Sequence, residues 1–262
     1  MTAVAIIFAG PTLPPATRPA SDAAFEWRPP VRQGELYRAA LTRPAAIGVV
    51  DGYFEVVPTV WHKEILWAMA EGIPVYGAAS IGALRAAELH SFGMRGIGRI
   101  YEAFRDGMLE DDDEVAVLHG PEEVGYRPLT QAMVDIRATL AEAERAGIIA
   151  AEAAARLTAI AKSLFYKERS YPALLDAAAA TGLPSGELHS IAAWLPRGRV
   201  EQKRHDAEAM LDAIRAHLAG GAPPQRVSYR LAETAAWQAA RRGTTGASAR
   251  ASGQRVRLWQ TL

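Results

Sequence analysis

The stretch Val75-Tyr76-Gly77-Ala78-Ala79-Ser80-Ile81-Gly82-Ala83-Leu84-Arg85-Ala86-Ala87-Glu88-Leu89 reads as a short buried strand, a tight turn and a helix that begins on a serine. Such a junction gathers one hydroxyl and several backbone N–H groups that lack intrahelical acceptors, and these attract an anion or an oxyanion. Ser80 stands where it can cap the helix. The small residues on either side let another backbone or a substrate approach closely.

The same reading extends in both directions. Upstream, Ala3 to Ala9 is an apolar run closed by Gly10-Pro11, as expected of a fully buried strand, and Ala45 to Val50 is a second such run closed by Asp51-Gly52. Phe25 to Val31 is a weaker strand, placed at an edge by Pro29 and Pro30. Gly34 to Leu41 reads as a short helix. A longer one opens after Pro58, with Trp61, Ile65, Ala68 and Met69 on one stripe and Gly72 at its end. Downstream, Ile97 to Phe104 and the acidic run Glu110 to Glu114 lead to Val115 to Leu118, expected as a buried strand closed by His119-Gly120-Pro121. Beyond Pro128 the pattern is helical throughout: Gln131 to Glu144, Ala150 to Tyr166, Tyr171 to Thr181, Gly186 to Trp194 and Val200 to Leu218. The expected fold class is α/β, an open, mostly parallel sheet with flanking helices, followed by an all-helical C-terminal region. The expected divisions are 1–128 for the α/β core, 129–220 for the helical region and 221–262 for a basic, partly flexible tail.

With 262 residues, half of them hydrophobic, the chain can bury a substantial core, and its formal net charge of zero gives no global field toward nucleic acid or membranes. The charge is uneven, because residues 221–262 hold seven arginines against the single acid Glu233. With Gly243-Thr244-Thr245-Gly246-Ala247-Ser248, this end reads as a flexible tail, solvated or docked on an acidic partner. The absence of cysteine excludes disulfides, thiolate metal sites, a cysteine nucleophile and a protein-bound persulfide. No apolar run reaches the ~18–20 residues of a membrane span. Met1 to Gly10 lacks the basic flank of a secretory signal, so a cytoplasmic protein is expected.

In open α/β sheets ligands bind beyond the carboxyl ends of the strands. Gly10-Pro11-Thr12, Asp51 to Glu55, Ser80 and His119-Gly120 all follow proposed strands and are expected to meet at one edge, although each loop is also explained as a turn. Ala78-Ala79-Ser80-Ile81-Gly82 approximates the Gly-x-Ser-x-Gly elbow of hydrolases, with alanine in the first position. The bases available to that hydroxyl are His119, His62 and Lys63. His62-Lys63-Glu64 is equally explained as a solvated helix face. Arg85 and Glu88, spaced i to i+3, are placed to pair with each other. No spacing of His or acids supports a metal site, and neither a Walker loop nor Gly-x-Gly-x-x-Gly occurs.

The series Asp51-Gly52-Tyr53-Phe54-Glu55, Val57-Pro58, Trp61 to Leu66, Tyr76 to Ser80, Gly82 to Leu89 and Phe92-Gly93-Met94 resembles the TfuA-like core, as does Glu110 to Val117 with His119-Gly120-Pro121. The likeness is dense from Ala45 to Thr139. It is looser at Gly10-Pro11-Thr12, where the family often has serine. The resemblance implies a partner of YcaO-type enzymes, which use ATP and Mg to activate a peptide-backbone amide during ribosomal-peptide modification, including thioamide formation. It also implies a part in recruiting or releasing the sulfur. Lacking cysteine, the chain cannot carry that sulfur as its own persulfide.

The expectation that follows is hydrolysis of the C-terminal thiocarboxylate of a ThiS-like sulfur-carrier protein, with sulfide passing to the YcaO partner and the precursor peptide met indirectly. No cofactor of the chain's own is expected. Ser80 is the expected nucleophile or water holder, N–H groups around Gly82 the oxyanion donors, and His62 or Lys63, with Asp51, the proton-transfer groups. Thr12, Glu55, Gly77, Gly82, Arg85, Glu88 and His119 are the expected substrate contacts. Two rivals stand beside it: a noncatalytic adaptor that docks the YcaO enzyme, and a standalone hydrolase of generic esters or thioesters.

Overall fold

The computed structural model describes residues 4–18, 23–55 and 57–247. Five parallel strands form its centre: β1 (Ala5–Phe8), β2 (Phe25–Arg28), β3 (Ala46–Val49), β4 (Val75–Ala78) and β5 (Arg95–Ile97), in the order β2-β1-β3-β4-β5. The chain lays β2 on one side of β1 and every later strand on the other. The strand order therefore reverses between β1 and β3, and a crevice opens at the carboxyl ends of those two strands.

Side chains of β1 alternate between two cores. Ile6 and Phe8 join Ile47, Val49 and Val75 on one face, while Ala5 and Ile7 join Ala46, Tyr76 and Ala78 on the other. The first face is covered by α1 (Glu35–Leu41), α2 (His62–Ala70) and α3 (Ile81–Leu89), with Ile100 and Tyr101 of α4 (Arg99–Arg105) at its margin. Burial on both faces is why β1, β3 and β4 are written as continuous apolar runs.

The helical half contains α5 (Met133–Arg145), α6 (Ala151–Ser163), α7 (Tyr171–Ala180), α8 (Ser185–Gly198) and α9 (Gln202–Ala219). The first four share a core of their own around Ile136, Leu140, Leu157, Leu174 and Ile191. Helix α9 leaves that core and lays Ala207, Met210, Leu211 and Ile214 on the second face of the sheet. Gly48 permits the approach, since a Cβ there would stand 2.9 Å from the Met210 methyl. The α/β layer is thus completed by a helix from the segment assigned to the helical region.

Three expectations are corrected. Val115 to Leu118 is not a strand of the sheet: a 3-10 turn at Asp112–Glu114 precedes it, and only His119 makes a bridge, antiparallel to Pro128. Trp61 precedes α2 rather than sharing its buried stripe, and is 37% exposed. Glu64 is buried there instead, its carboxylate accepting N–H bonds from Gly34, Tyr37 and Trp61. Third, residues 243–247 of the expected tail are helical, ending α10 (Ala235–Ala247), and Trp237 of that helix is buried edge-on against Tyr37. Residues 248–262 lie outside the described structure. Among the described residues no helix is long and apolar enough to cross a membrane.

The acidic run is a clasp between the two halves. Asp113 accepts a 2.7 Å bond from Arg169 and is paired with Lys162, while Glu114 is paired with Arg137 and Lys162 at 2.9 and 3.0 Å. Arg169 is 0% exposed and spends its other donors on the carbonyls of Asp113, Ala161 and Leu164. Burial alone would raise the Asp113 carboxyl, but the hydrogen bonds and charges of Lys162 and Arg169 outweigh it and hold the group below its usual range.

Candidate functional site

The end of β4 turns more sharply than an ordinary strand-to-helix junction. Ala79 stands at φ +67°, and the Ser80 N–H donates back to the Ala78 carbonyl at 2.8 Å, closing a three-residue turn. A side chain in the left-handed region is strained, and surrounding structure has to hold it there. Two glycines supply that hold by letting α3 press on the strands. A Cβ on Gly82 would lie 1.8 Å from the Val49 carbonyl oxygen, and one on Gly77 would lie 2.1 Å from the Gly82 carbonyl oxygen. Gly77 and Gly82 are therefore packing positions.

Ser80 precedes α3 as expected, but its side chain makes no capping bond. Its carbonyl accepts from Ala83 and Leu84, and its hydroxyl has no hydrogen-bond partner among the described residues. The expectation that N–H groups around Gly82 are free for an oxyanion is corrected in part. Gly82 donates to the Val50 carbonyl at 3.3 Å, which leaves the Ile81 N–H as the first-turn donor without an acceptor among the described residues.

Asp51 lies at the strand-order reversal and is 1% exposed. Its carboxylate accepts from the Gly10 N–H at 2.9 Å, the Thr12 N–H at 3.0 Å and the Thr12 hydroxyl at 2.6 Å. These bonds tie the loop after β1 to the loop after β3. They occupy Asp51 and Thr12 with each other, so neither is a free acid, base or substrate ligand.

Ser80 is 9% exposed and, with Asp51, Tyr53, Ile81 and His119, lines a hollow of about 30 Å³. That is the share of one water molecule. The His119 Nδ1 lies 2.8 Å from the Gly120 carbonyl. A carbonyl only accepts, so Nδ1 donates and the neutral ring keeps its lone pair on Nε2, the arrangement of a base. Tyr53 and Tyr126 flank the ring at 5.9 Å each. Burial raises both phenols, so they remain protonated at neutral pH.

Beyond the hollow a wider cleft of about 600 Å³ shares Tyr53, Phe54, Ile81 and Leu84 with it and runs out past Arg85, Glu88 and residues 110–112. Arg85 and Glu88 pair at 2.6 Å as their spacing foretold, and the His62 Nε2 donates to the same carboxylate at 2.8 Å. The guanidinium also reaches the Val60 carbonyl. His62 itself lines neither the hollow nor the cleft. Lys63 is held elsewhere, donating to the Ala232 carbonyl and the Thr234 hydroxyl. Glu55 is on the cleft wall, bonded to Lys167 and Tyr166. The edge therefore brings Thr12, Asp51, Ser80 and His119 together and leaves His62 and Lys63 outside. Tyr126 went unnoticed in the sequence, where it is one residue of a Gly-Tyr turn with no pattern around it. Among the described residues no group of acids or histidines is arranged to hold a metal ion.

Residues 51–170 match the model of the family described as TfuA-like protein, which carries the likeness past the sheet edge and through the Arg169 clasp. No curated protein matches the chain.

Proposed function

We propose, from the match of residues 51–170 to the TfuA-like family, which is associated with YcaO-type thioamidation, that the hollow at Ser80 releases sulfide from the thiocarboxylated C-terminus of a small sulfur-carrier protein. The observation that carries the reading is a serine hydroxyl without a hydrogen-bond partner among the described residues, presented by a strained turn into a hollow that His119, its Nδ1 committed to the Gly120 carbonyl, also lines.

In the proposed step the Ser80 oxygen attacks the thiocarboxyl carbon while its proton passes to the His119 Nε2. The Ile81 N–H stabilises the oxyanion. The C–S bond breaks, and sulfur leaves as hydrosulfide with the proton returned from His119. Water then hydrolyses the acyl-serine, restoring the serine and leaving an ordinary carboxylate on the carrier. Arg85 is the one cation among the residues lining the cleft, and orients the carrier tail on its way in. The ion pairs of Glu55 with Lys167 and of Asp111 with Lys162 offset part of the acidic wall, easing entry of an anionic tail. His62, expected as the proton-transfer group, here steadies Glu88 behind Arg85.

Purified protein incubated with a thiocarboxylated carrier is expected to release sulfide, with Ser80→Ala and His119→Gln each slowing release at least ~100-fold. Unchanged release in both variants overturns the residue assignment, and no release by the parent protein overturns the activity.

The adaptor reading rests on a different observation. Leu118, Val124 and Leu129 are exposed around the hairpin that carries His119, an apolar surface suited to a protein partner. It predicts that a YcaO enzyme supplied with free sulfide still needs this chain, with Ser80→Ala as effective as the parent.

A further inference from the structure

The pocket of about 480 Å³ between the start of α1, the start of α2 and α10 shares no lining residue with the Ser80 hollow. Its volume is in the range that holds a cofactor-sized molecule. Two features define its chemistry. Trp61, 37% exposed, supplies flat apolar surface, and behind it Tyr37 and Trp237 are buried in edge contact at 5.4 Å. Three guanidiniums, of Arg32, Arg38 and Arg241, face two carboxylates, of Glu35 and Glu64.

The carboxylates are already committed. Glu64 takes three backbone N–H groups, and Glu35 serves both Arg32 and Arg38, at 2.9 and 4.0 Å. Arg32 is held by Glu35, and Arg241 donates to the Tyr37 hydroxyl and pairs with Glu233, whereas Arg38 has among the described residues only its 4.0 Å approach to Glu35, so its guanidinium donors are the ones left for a ligand. A further donor is buried beside the pocket, since Trp237 is 1% exposed and its indole N–H has no acceptor among the described residues. A buried donor without an acceptor is costly and is relieved by a ligand atom or a bridging water.

We propose that this pocket binds a small molecule in which a planar ring carries an anionic group, the ring lying against Trp61 and the anion against Arg38. Guanidinium groups grip phosphate and carboxylate bidentately, and aromatic faces take the ring. A nucleoside phosphate and an aromatic carboxylate share this chemistry. The proposal is independent of sulfide release, because it concerns a separate pocket.

Calorimetric titration of the full chain distinguishes the sources, with AMP, indole-3-acetate, adenosine and inorganic phosphate as probes. AMP or indole-3-acetate is expected to saturate with Kd below about 1 mM, and whichever does so identifies the source. Adenosine and phosphate alone are expected to bind at least about tenfold more weakly, since each lacks one half of the recognised chemistry. Arg38→Gln, a change at the protein surface, is expected to weaken binding about tenfold or more. Trp237→Phe keeps a ring, removes the N–H, and is expected to weaken it several-fold. The proposal is overturned if neither AMP nor indole-3-acetate saturates, if adenosine or phosphate binds as tightly as they do, or if a folded Arg38→Gln protein binds unchanged.

Discussion

The rim of the sheet and the seam between its two halves each depend on one aspartate, and they are built on opposite principles. At the rim Asp51 is held by two backbone N–H groups and a hydroxyl, all from Gly10 to Thr12. At the seam Asp113 is held by Lys162 and by the buried guanidinium of Arg169. Neutral donors fix the direction and distance of a loop without a long-range field. Cations hold more strongly, but their grip depends on the protonation of the partner. The chain uses the first kind at the rim that carries Ser80, and the second where the sheet half and the helical half are joined.

Three changes test that contrast, taken from the largest effect on stability to the smallest. Asp51→Ala strands three donors in a buried rim, each costing about 1–3 kcal/mol, so urea unfolding is expected to show a loss of at least ~3 kcal/mol. A loss below ~1 kcal/mol would mean that the rim is held by something else.

Asp113→Ala leaves the Arg169 guanidinium buried with carbonyls alone, for a cost of about 2–3 kcal/mol, reduced from the fully buried case by the partial exposure of Asp113. The folded-state carboxyl is depressed, so its contribution is fully present above the ordinary carboxylate pKa and is lost as pH falls through the folded value. The difference between parent and Asp113→Asn is thus expected to shrink on acidification below about pH 4. A difference that stays constant, or grows, would show that charge is not what closes the seam.

Ser80→Ala is the smallest. Its hydroxyl bonds to none of the described residues, so stability is expected to change by less than ~0.5 kcal/mol while sulfide release collapses. A large loss of stability would place that hydroxyl in the scaffold and remove the reason for assigning it chemistry.

How far the sequence could be read depended on whether local pattern or distant packing decided each element. Strands β1, β3 and β4 were legible because burial on both faces leaves no alternative to a continuous apolar run. Arg95–Ile97 was not, being three residues at the sheet edge with Arg95 and Gly96 among them. Val115 to Leu118 misled for the converse reason. The segment begins with two buried apolar residues, yet the Glu114 pairs with Arg137 and Lys162 hold the chain in a turn that no sheet partner straightens. The Arg85–Glu88 pair was visible as a helical spacing. The third member, His62, comes from another helix and had no sequence signal for its partner.

By itself the sequence determined that strands alternate with helices, that a serine opens the helix after β4, and that glycines stand where that helix meets the strands, because each of these is a local preference repeated over a few residues. Only the tertiary structure decided that α9 would cover the sheet's second face, that Asp51 and Lys63 would be occupied by distant backbone and side-chain groups, and that His119 rather than His62 would share the serine's hollow. An amphipathic pattern states that a face must be buried, and a polar side chain states that it needs partners. Neither names the surface or the atom, which depend on the one arrangement in which all the faces and donors are satisfied together.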